Sequence, residues 1–501
     1  MTIPFFGKEF TFTQPDGTQL KVKGWGDQYN ALFRTEDGDP VVENPETGYY
    51  EYAAIDPGGR MRAGGMRASP GRKGATPLAG KSLSPGETKS MILSNPGLLK
   101  TPTRWRVRSE RKRRLANSLP EGLALAPPSR HTVGRFVGLC LLIEFPDVPA
   151  TITQAEVNDF LNKSGYNGFG NNGSVRDYFL EASDGKLDYT SIAVPYYKAK
   201  HSRSYYTDEG VPQPVRAYEL IGEALAHLKA SGFNFSQLTV DDEQYIYAIN
   251  VYYAGPCVNN WAKGLWPHSY HLQYPVELAP GVKTYDYQFT NMGSELTLGT
   301  FCHENGHMIC DFPDLYDYGY ESAGAGVYCL MCAGGTESPK NPARVAAYLR
   351  YRAGWFGTVD EITTSTNASL EPGDNRCYIY RRNRQEYFIL EHRHNAGRDA
   401  VIPGSGLAIW HIDEAGNNSN EQGTPRKHYE CALVQADGRR DLERNENPGD
   451  PDDLYPNAFN QRFAADTVPG SRWWNGVPSG LAIEDIVRNG NGVRFRINVS
   501  R

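Results

Sequence analysis

His303-Glu304-Asn305-Gly306-His307 constrains the fold of this chain more than any other segment. Two histidines four residues apart on a helix project from one face about one turn apart, so both imidazoles reach a single metal ion. The intervening glutamate points to a neighbouring part of that face. It is placed to take a proton from an activated water rather than to bind the ion. A helix with this burden has to lie in the core with one face open to a cleft. The preceding segment, Leu296 to Cys302, is apolar enough for that, and Ser294 or Thr297 is placed to cap it. Pro313 forces the chain to turn soon after His307, because proline cannot continue a helix and restricts the residue before it. The H-E-x-x-H pattern is the signature of zinc-dependent peptide hydrolysis.

Beyond the turn, Asp314-Leu315-Tyr316-Asp317 sets a carboxylate beside the two histidines, and Met331 falls in the glycine-terminated stretch Tyr328 to Gly335. Metzincins use a methionine turn of this kind as an apolar floor near the metal. Read together, HENGHMICDFPDLYD from His303 to Asp317 resembles the immune inhibitor A family of secreted bacterial metallopeptidases. The resemblance extends to Leu141 to Val148, to Gly173 to Phe179 with Ser183 to Leu187, to Gly404 to Glu414 and to Val434 to Gly438, and so covers most of the chain. It implies an α+β architecture with a zincin or metzincin-like catalytic domain, a small N-terminal β-rich pro-region and a C-terminal β-sandwich. It also implies one catalytic Zn2+, a protein or peptide substrate, an extracellular location and synthesis as a latent precursor.

One departure from the family pattern bears on the ligands. Cys310 stands where the family has a glycine, and Pro313 stands at the expected position of the aspartate ligand. Asp311 tolerates the left-handed conformation that the missing glycine would have supplied. The Pro-Asp-Leu-Tyr-Asp match makes Asp314 the third ligand beside His303 and His307, with Asp311 and Glu321 as the alternatives. Glu304 is then the general base. Tyr316, Tyr328, Tyr348 and Tyr351 are the tyrosines available to assist in the transition state. The expected activity is zinc-dependent endopeptidase. The rival is a catalytically inactive relative of the fold that acts as a surface or protein-binding module, with the altered turn as the mark of lost activity.

A chain of 501 residues is long enough for two or three domains. Residues 1–56 read as an antiparallel β unit with turns at Pro15-Asp16-Gly17 and Asp37-Gly38-Asp39, matching the pro-region of the family. Residues 57–130 are rich in Gly, Pro, Ser and basic residues and read as a linker, with a short helical segment around Arg104 to Leu115. The basic run Arg111-Lys112-Arg113-Arg114 is a solvated helix face, a processing site, or a nucleic-acid or membrane patch. Residues 131–357 form the expected catalytic domain, and residues 358–501 the β-sandwich. No apolar run approaches the roughly 18 residues of a membrane span, and a net charge of −6 argues against nucleic-acid binding. The N-terminus lacks the basic start and apolar run of a signal peptide.

Other residues carry weaker signals. Cys302, Cys310, Cys329 and Cys332 fall around the metal helix and methionine turn, as bracing disulfides, a second zinc site or buried thiols. His268 and His271 sit in an expected loop, with a cleft or structural role favoured over metal binding. Asn445 to Asp453 gathers oxygen donors and is the candidate for a structural Ca2+. Residues 1–139 contain no cysteine, so latency cannot use a thiolate on the zinc. A carboxylate from the turns, Asp16, Asp27, Asp37 or Asp39, a histidine, or steric cover of the cleft has to serve instead.

Overall fold

The structure, a computed structural model, describes residues 4–57, 60–71, 92–98, 101–118, 132–418 and 423–500. Among them are seven α-helices and four sheets, a mixed composition in keeping with α+β. The chain divides into two compact units. One comprises Met1–Thr103, Val137–Leu161 and Ser191–Leu296; the other comprises Arg104–Phe136, Asn162–Thr190 and Thr297–Arg501.

The first unit holds two sheets. Strands Phe5–Thr13, Gln19–Gly26, Asn30–Thr35, Pro40–Glu43, Tyr50–Ile55 and Met61–Arg67 follow one another as an antiparallel meander, and Leu93–Ser94 pairs beside the third. Leu20 and Val22 alternate inward along the second strand and join Phe12, Phe33 and Tyr52 in a core that also takes in Trp261 and Trp266. The β unit expected to end at residue 56 therefore continues through Met61–Arg67, inside the segment expected to be linker. Its alternation was hidden because three of the seven side chains are glycine or alanine.

In the second sheet of this unit, Tyr197–Lys198, Gly134–Glu144, Ile249–Ala254 and Val282–Met292 run parallel, and His268–Ala279 closes the edge antiparallel. Leu139 to Ile143 is a continuous buried run, as a strand covered on both faces requires. The helix Val215–Ala230 contributes Ala217, Leu220, Ile221, Ala224, Leu225 and Leu228, spaced along one stripe, to the same core. The expected loop at Trp266 to His271 is instead the start of an edge strand. His268 there is buried, its Nδ1 2.7 Å from the Trp266 carbonyl and its Nε2 2.9 Å from the Tyr287 hydroxyl. Burial pushes it down to about 4, so it is a neutral structural group.

The second unit carries the helices Arg104–Ser118, Val175–Ala182, Leu298–Cys310 and Ala347–Arg352. Toward its C-terminus a five-stranded sheet has the order Thr358–Glu361, Arg376–Arg381, Glu386–Arg393, Gly406–Asp413, Cys431–Leu433. A three-stranded sheet has the order Thr366–Leu370, Gly492–Val499, Leu481–Asn489. Phe388, Leu390, Leu407 and Ile409 from the first sheet share one core with Leu370, Ile483, Phe495 and Ile497 from the second. No helix among the described residues is long and apolar enough to cross a membrane.

Candidate metal centre

All the groups of the site belong to the second unit. The helix Leu298–Cys310 is buried along almost its whole length, and His303, Glu304 and His307 are at most 1% exposed. Its C-terminal cap is Asp311 at φ 55°, the left-handed conformation a glycine would otherwise supply. The cap N–H donates back to the His307 carbonyl at 2.9 Å. The turn is thus built without glycine, and it directs Asp314 back toward the histidines.

His303 Nε2 and His307 Nε2 lie 3.1 Å apart, and Asp314 Oδ1 lies 3.1 Å from the first and 3.2 Å from the second. Ligand atoms about 2.0 Å from a tetrahedral zinc ion are about 3.3 Å from each other, so the triangle has the right edge. The tautomers agree with this. His303 Nδ1 is 3.0 Å from the Leu330 carbonyl and His307 Nδ1 is 2.6 Å from the Phe312 carbonyl. A carbonyl only accepts, so both Nδ1 atoms carry the proton, and in the neutral rings both Nε2 lone pairs face Asp314. With both rings neutral, three acceptors converge here, fully buried. A cation satisfies that arrangement, and the residues present fit zinc.

Electrostatics couple the three groups to one another. Burial pushes His307 down to about 4, leaving its lone pair free at neutral pH. Burial also opposes ionisation of Asp314, but the fields and hydrogen bonds of His307 and His303 outweigh it and hold the carboxyl well below its usual range. For His303, burial lowers the basicity, and the Asp314 and Glu304 carboxylates more than reverse that.

Supporting contacts fix the three converging groups. Met331 is fully buried, and a Cβ placed on Gly306 would come within 3.0 Å of its sulfur, so the glycine between the ligands is what lets the methionine turn approach the helix. The same turn supplies the Leu330 carbonyl to His303, and its Met331 carbonyl accepts from Leu315 N–H at 2.8 Å. Tyr318 donates its hydroxyl to Asp314 Oδ2 at 2.9 Å, and Asn418 donates to the Asp314 carbonyl at 2.7 Å. With Oδ2 held by Tyr318, Oδ1 is the oxygen turned to the histidines.

The other expected residues stand elsewhere. Asp311 pairs with Arg108 and Lys112 rather than with the histidines. Glu321 is buried and outside the converging triad. Tyr328 donates to Asp453, Tyr348 bonds Glu430, and Tyr351 accepts from Arg381, so none of these three hydroxyls is directed at the triad. Sequence reasoning missed Tyr318, whose only signal is its place four residues after Asp314, and Trp105, which stacks on the His307 ring at 4.3 Å. All eight cysteines are free thiols, and seven are buried. Cys302, Cys310, Cys329 and Cys332 form no disulfide, and among the described residues they belong to no converging group of metal-ligand atoms.

A second group of oxygens is formed by Asp437, Asp441 and Asp450, of which only Asp450 lies in the loop expected to bind calcium. The Arg439 guanidinium reaches into this group, bonding Asp437 and lying 3.1 Å from Asp450. No protein-family model matches the chain, and no curated protein sequence matches it.

Proposed function

We propose that this chain is a zinc-dependent endopeptidase of the immune inhibitor A-like kind, a hydrolase of peptide bonds made as a latent precursor and acting outside the cell. The observation that carries the reading is the meeting of His303 Nε2, His307 Nε2 and Asp314 Oδ1 within 3.2 Å of one another, with His303 and His307 on a helix that also presents Glu304. His303, His307 and Asp314 would hold the ion. When bound, zinc supplies Lewis acidity that activates water and polarises the scissile carbonyl. Glu304 takes the proton of the attacking water and returns it to the leaving amine. Tyr318 and the Leu330 and Phe312 carbonyls keep the three ligand groups in one geometry throughout.

The rival reading, an inactive binding module, drew on the altered turn at Cys310 to Asp314. Asp311 builds that turn without distortion of the triad, so it lends the rival no support. Purified full-length protein, supplied with zinc and assayed against a broad peptide library before and after limited trypsin treatment, tests the proposal. Cleavage that disappears in Glu304→Ala while zinc is retained is the expected outcome. A zinc-loaded wild-type protein that cleaves no peptide in either state would sink it.

A further inference from the structure

The helix Arg104–Ser118 begins with the most basic stretch of the chain. Between Arg104 and Arg114 it has seven arginines and lysines against the single acid Glu110. Sequence alone leaves such a run as a solvated face, a processing site, or a nucleic-acid or membrane patch, but three of its side chains are turned to the metal-site helix. Trp105 is 3% exposed and its indole stacks on His307 at 4.3 Å and 18°. Arg108 Nε lies 2.9 Å from Asp311 Oδ1, and Lys112 Nζ lies 2.8 Å from Asp311 Oδ2. Arg108 also donates to the Met308 carbonyl at 3.0 Å, in the last turn of the metal-site helix. Positions 105, 108 and 112 form a single stripe at helical spacing, while Arg111, Arg113 and Arg114 are exposed.

Asp311 is unusual from the other side of this contact. Its side chain is 1% exposed, and each of its oxygens is taken by a different cation from the same helix. A buried carboxylate needs such partners, because an unpaired charge away from water is strongly disfavoured. Backbone geometry at this position asks for a residue that tolerates positive φ, which glycine or asparagine would meet without any charge. The carboxylate therefore serves the cations and not the turn. It sits four residues from one metal ligand and three from another, at a point that Trp105, Arg108 and Lys112 cover together.

We propose that Asp311 is an anionic subsite beside the metal centre that takes an arginine or lysine side chain of the peptide substrate, and that the helix Arg104–Ser118 occupies it internally until displaced. This rests on the reading of the site as a metallopeptidase. Along the helix axis Trp105 and Arg108 are separated by about 4.5 Å and Trp105 and Lys112 by about 10 Å, distances that an extended peptide spans in about one to three residues. The substrate class is thus a peptide with a basic side chain within a few residues of the cleaved bond. Latency then rests on this helix. Asp16 and Asp27 are engaged with backbone N–H groups of their own turns, and the segment expected to be linker supplies the cover.

The test uses the full-length chain with Glu304→Ala, so that bound peptide is not turned over, combined with Arg108→Ala and Lys112→Ala to free the subsite. Calorimetric titration with acetylated alanine hexapeptides carrying one arginine, one glutamate or neither should show the arginine peptide bound at least about tenfold more tightly than both others. Adding Asp311→Asn should erase that preference. Equal binding of the arginine and glutamate peptides, or a preference that survives Asp311→Asn, overturns the proposal. Should the triple variant fail to fold, hydrogen exchange on the wild-type chain decides the matter. Saturating arginine peptide should speed exchange of the amides of residues 105–114, and alanine peptide should not. An unchanged pattern with both peptides overturns the proposal as well. Selective binding without hydrolysis once Glu304 is restored would leave the subsite standing and remove the peptidase reading.

Discussion

Asp311 and Asp314 are the same amino acid three residues apart, and the structure gives them opposite work. Asp314 faces two imidazoles and Asp311 faces two cations from another helix. Zinc affinity, measured by competition with a chromogenic chelator, should fall by at least about 100-fold in Asp314→Ala and by much less in Asp311→Ala or Glu321→Ala. Tyr318→Phe removes the bond that holds Asp314 Oδ2 and should cost about tenfold in the same titration, the scale expected for a group that orients a ligand. His303, Glu304 and His307 were legible in the sequence, because their spacing on a helix dictates where they project. The order of the two aspartates was open there, since a turn through Pro313 decides which carboxylate comes back to the histidines. Tyr318 was invisible for a related reason: a hydroxyl five residues beyond Pro313 has no partner that spacing alone can name.

At the scale of elements, the metal-site helix is pinned by the methionine turn, and close backbone approach is what the pinning requires. A Cβ on Gly299 would come within 2.0 Å of the Gly335 carbonyl oxygen. Gly299→Ala should therefore lower stability by about 1–3 kcal/mol in urea unfolding, even though alanine favours a helix by about 1 kcal/mol. The acidic loop makes a prediction of opposite character. Burial, reinforced by the Asp450 and Asp437 carboxylates and opposed by hydrogen bonds from Asp450 N–H and the Tyr328 hydroxyl, pushes Asp453 from 3.8 up to about 7. The folded state thus keeps a proton that the unfolded chain releases, and the stability this gives is present at low pH and lost as pH rises through 7. In calcium-free buffer, moving from about pH 5 to about pH 8 should cost the wild type about 2 kcal/mol more than Asp453→Asn. The helix Arg104–Ser118 was legible as a helix and not as a cover. Its basic residues suit solvent equally well, and only their stripe against His307 and Asp311 distinguishes the two. Arg108→Ala with Lys112→Ala should hasten tryptic cutting at the exposed Arg111, Arg113 and Arg114, followed by mass spectrometry of the fragments.

For the molecule as a whole, sequence patterns identified many of the segments better than their grouping. The buried strand at Leu139 to Ile143, the amphipathic helix at Val215–Ala230 and the strands beyond Thr358 were all readable from periodicity. Changes of composition near residues 56 and 130, and of element pattern near 357, suggested boundaries, yet each compact unit is assembled from three separate stretches of chain. Composition reports how exposed a segment is, and it carries no information on which distant segment packs against it. The second unit alone contains the triad, the methionine turn, the covering helix and the C-terminal sheets, so its chemistry can be tested on the intact chain without assumptions about the first. The central claim is that His303, His307 and Asp314 together bind one zinc ion, and metal analysis with zinc-edge X-ray absorption tests it most directly. The account predicts about one zinc per chain, two histidine nitrogens and a carboxylate oxygen at about 2.0–2.2 Å, and loss of that signal in Asp314→Ala. A wild-type chain that stays metal-free after zinc supplementation, or an unchanged spectrum in Asp314→Ala, would contradict it.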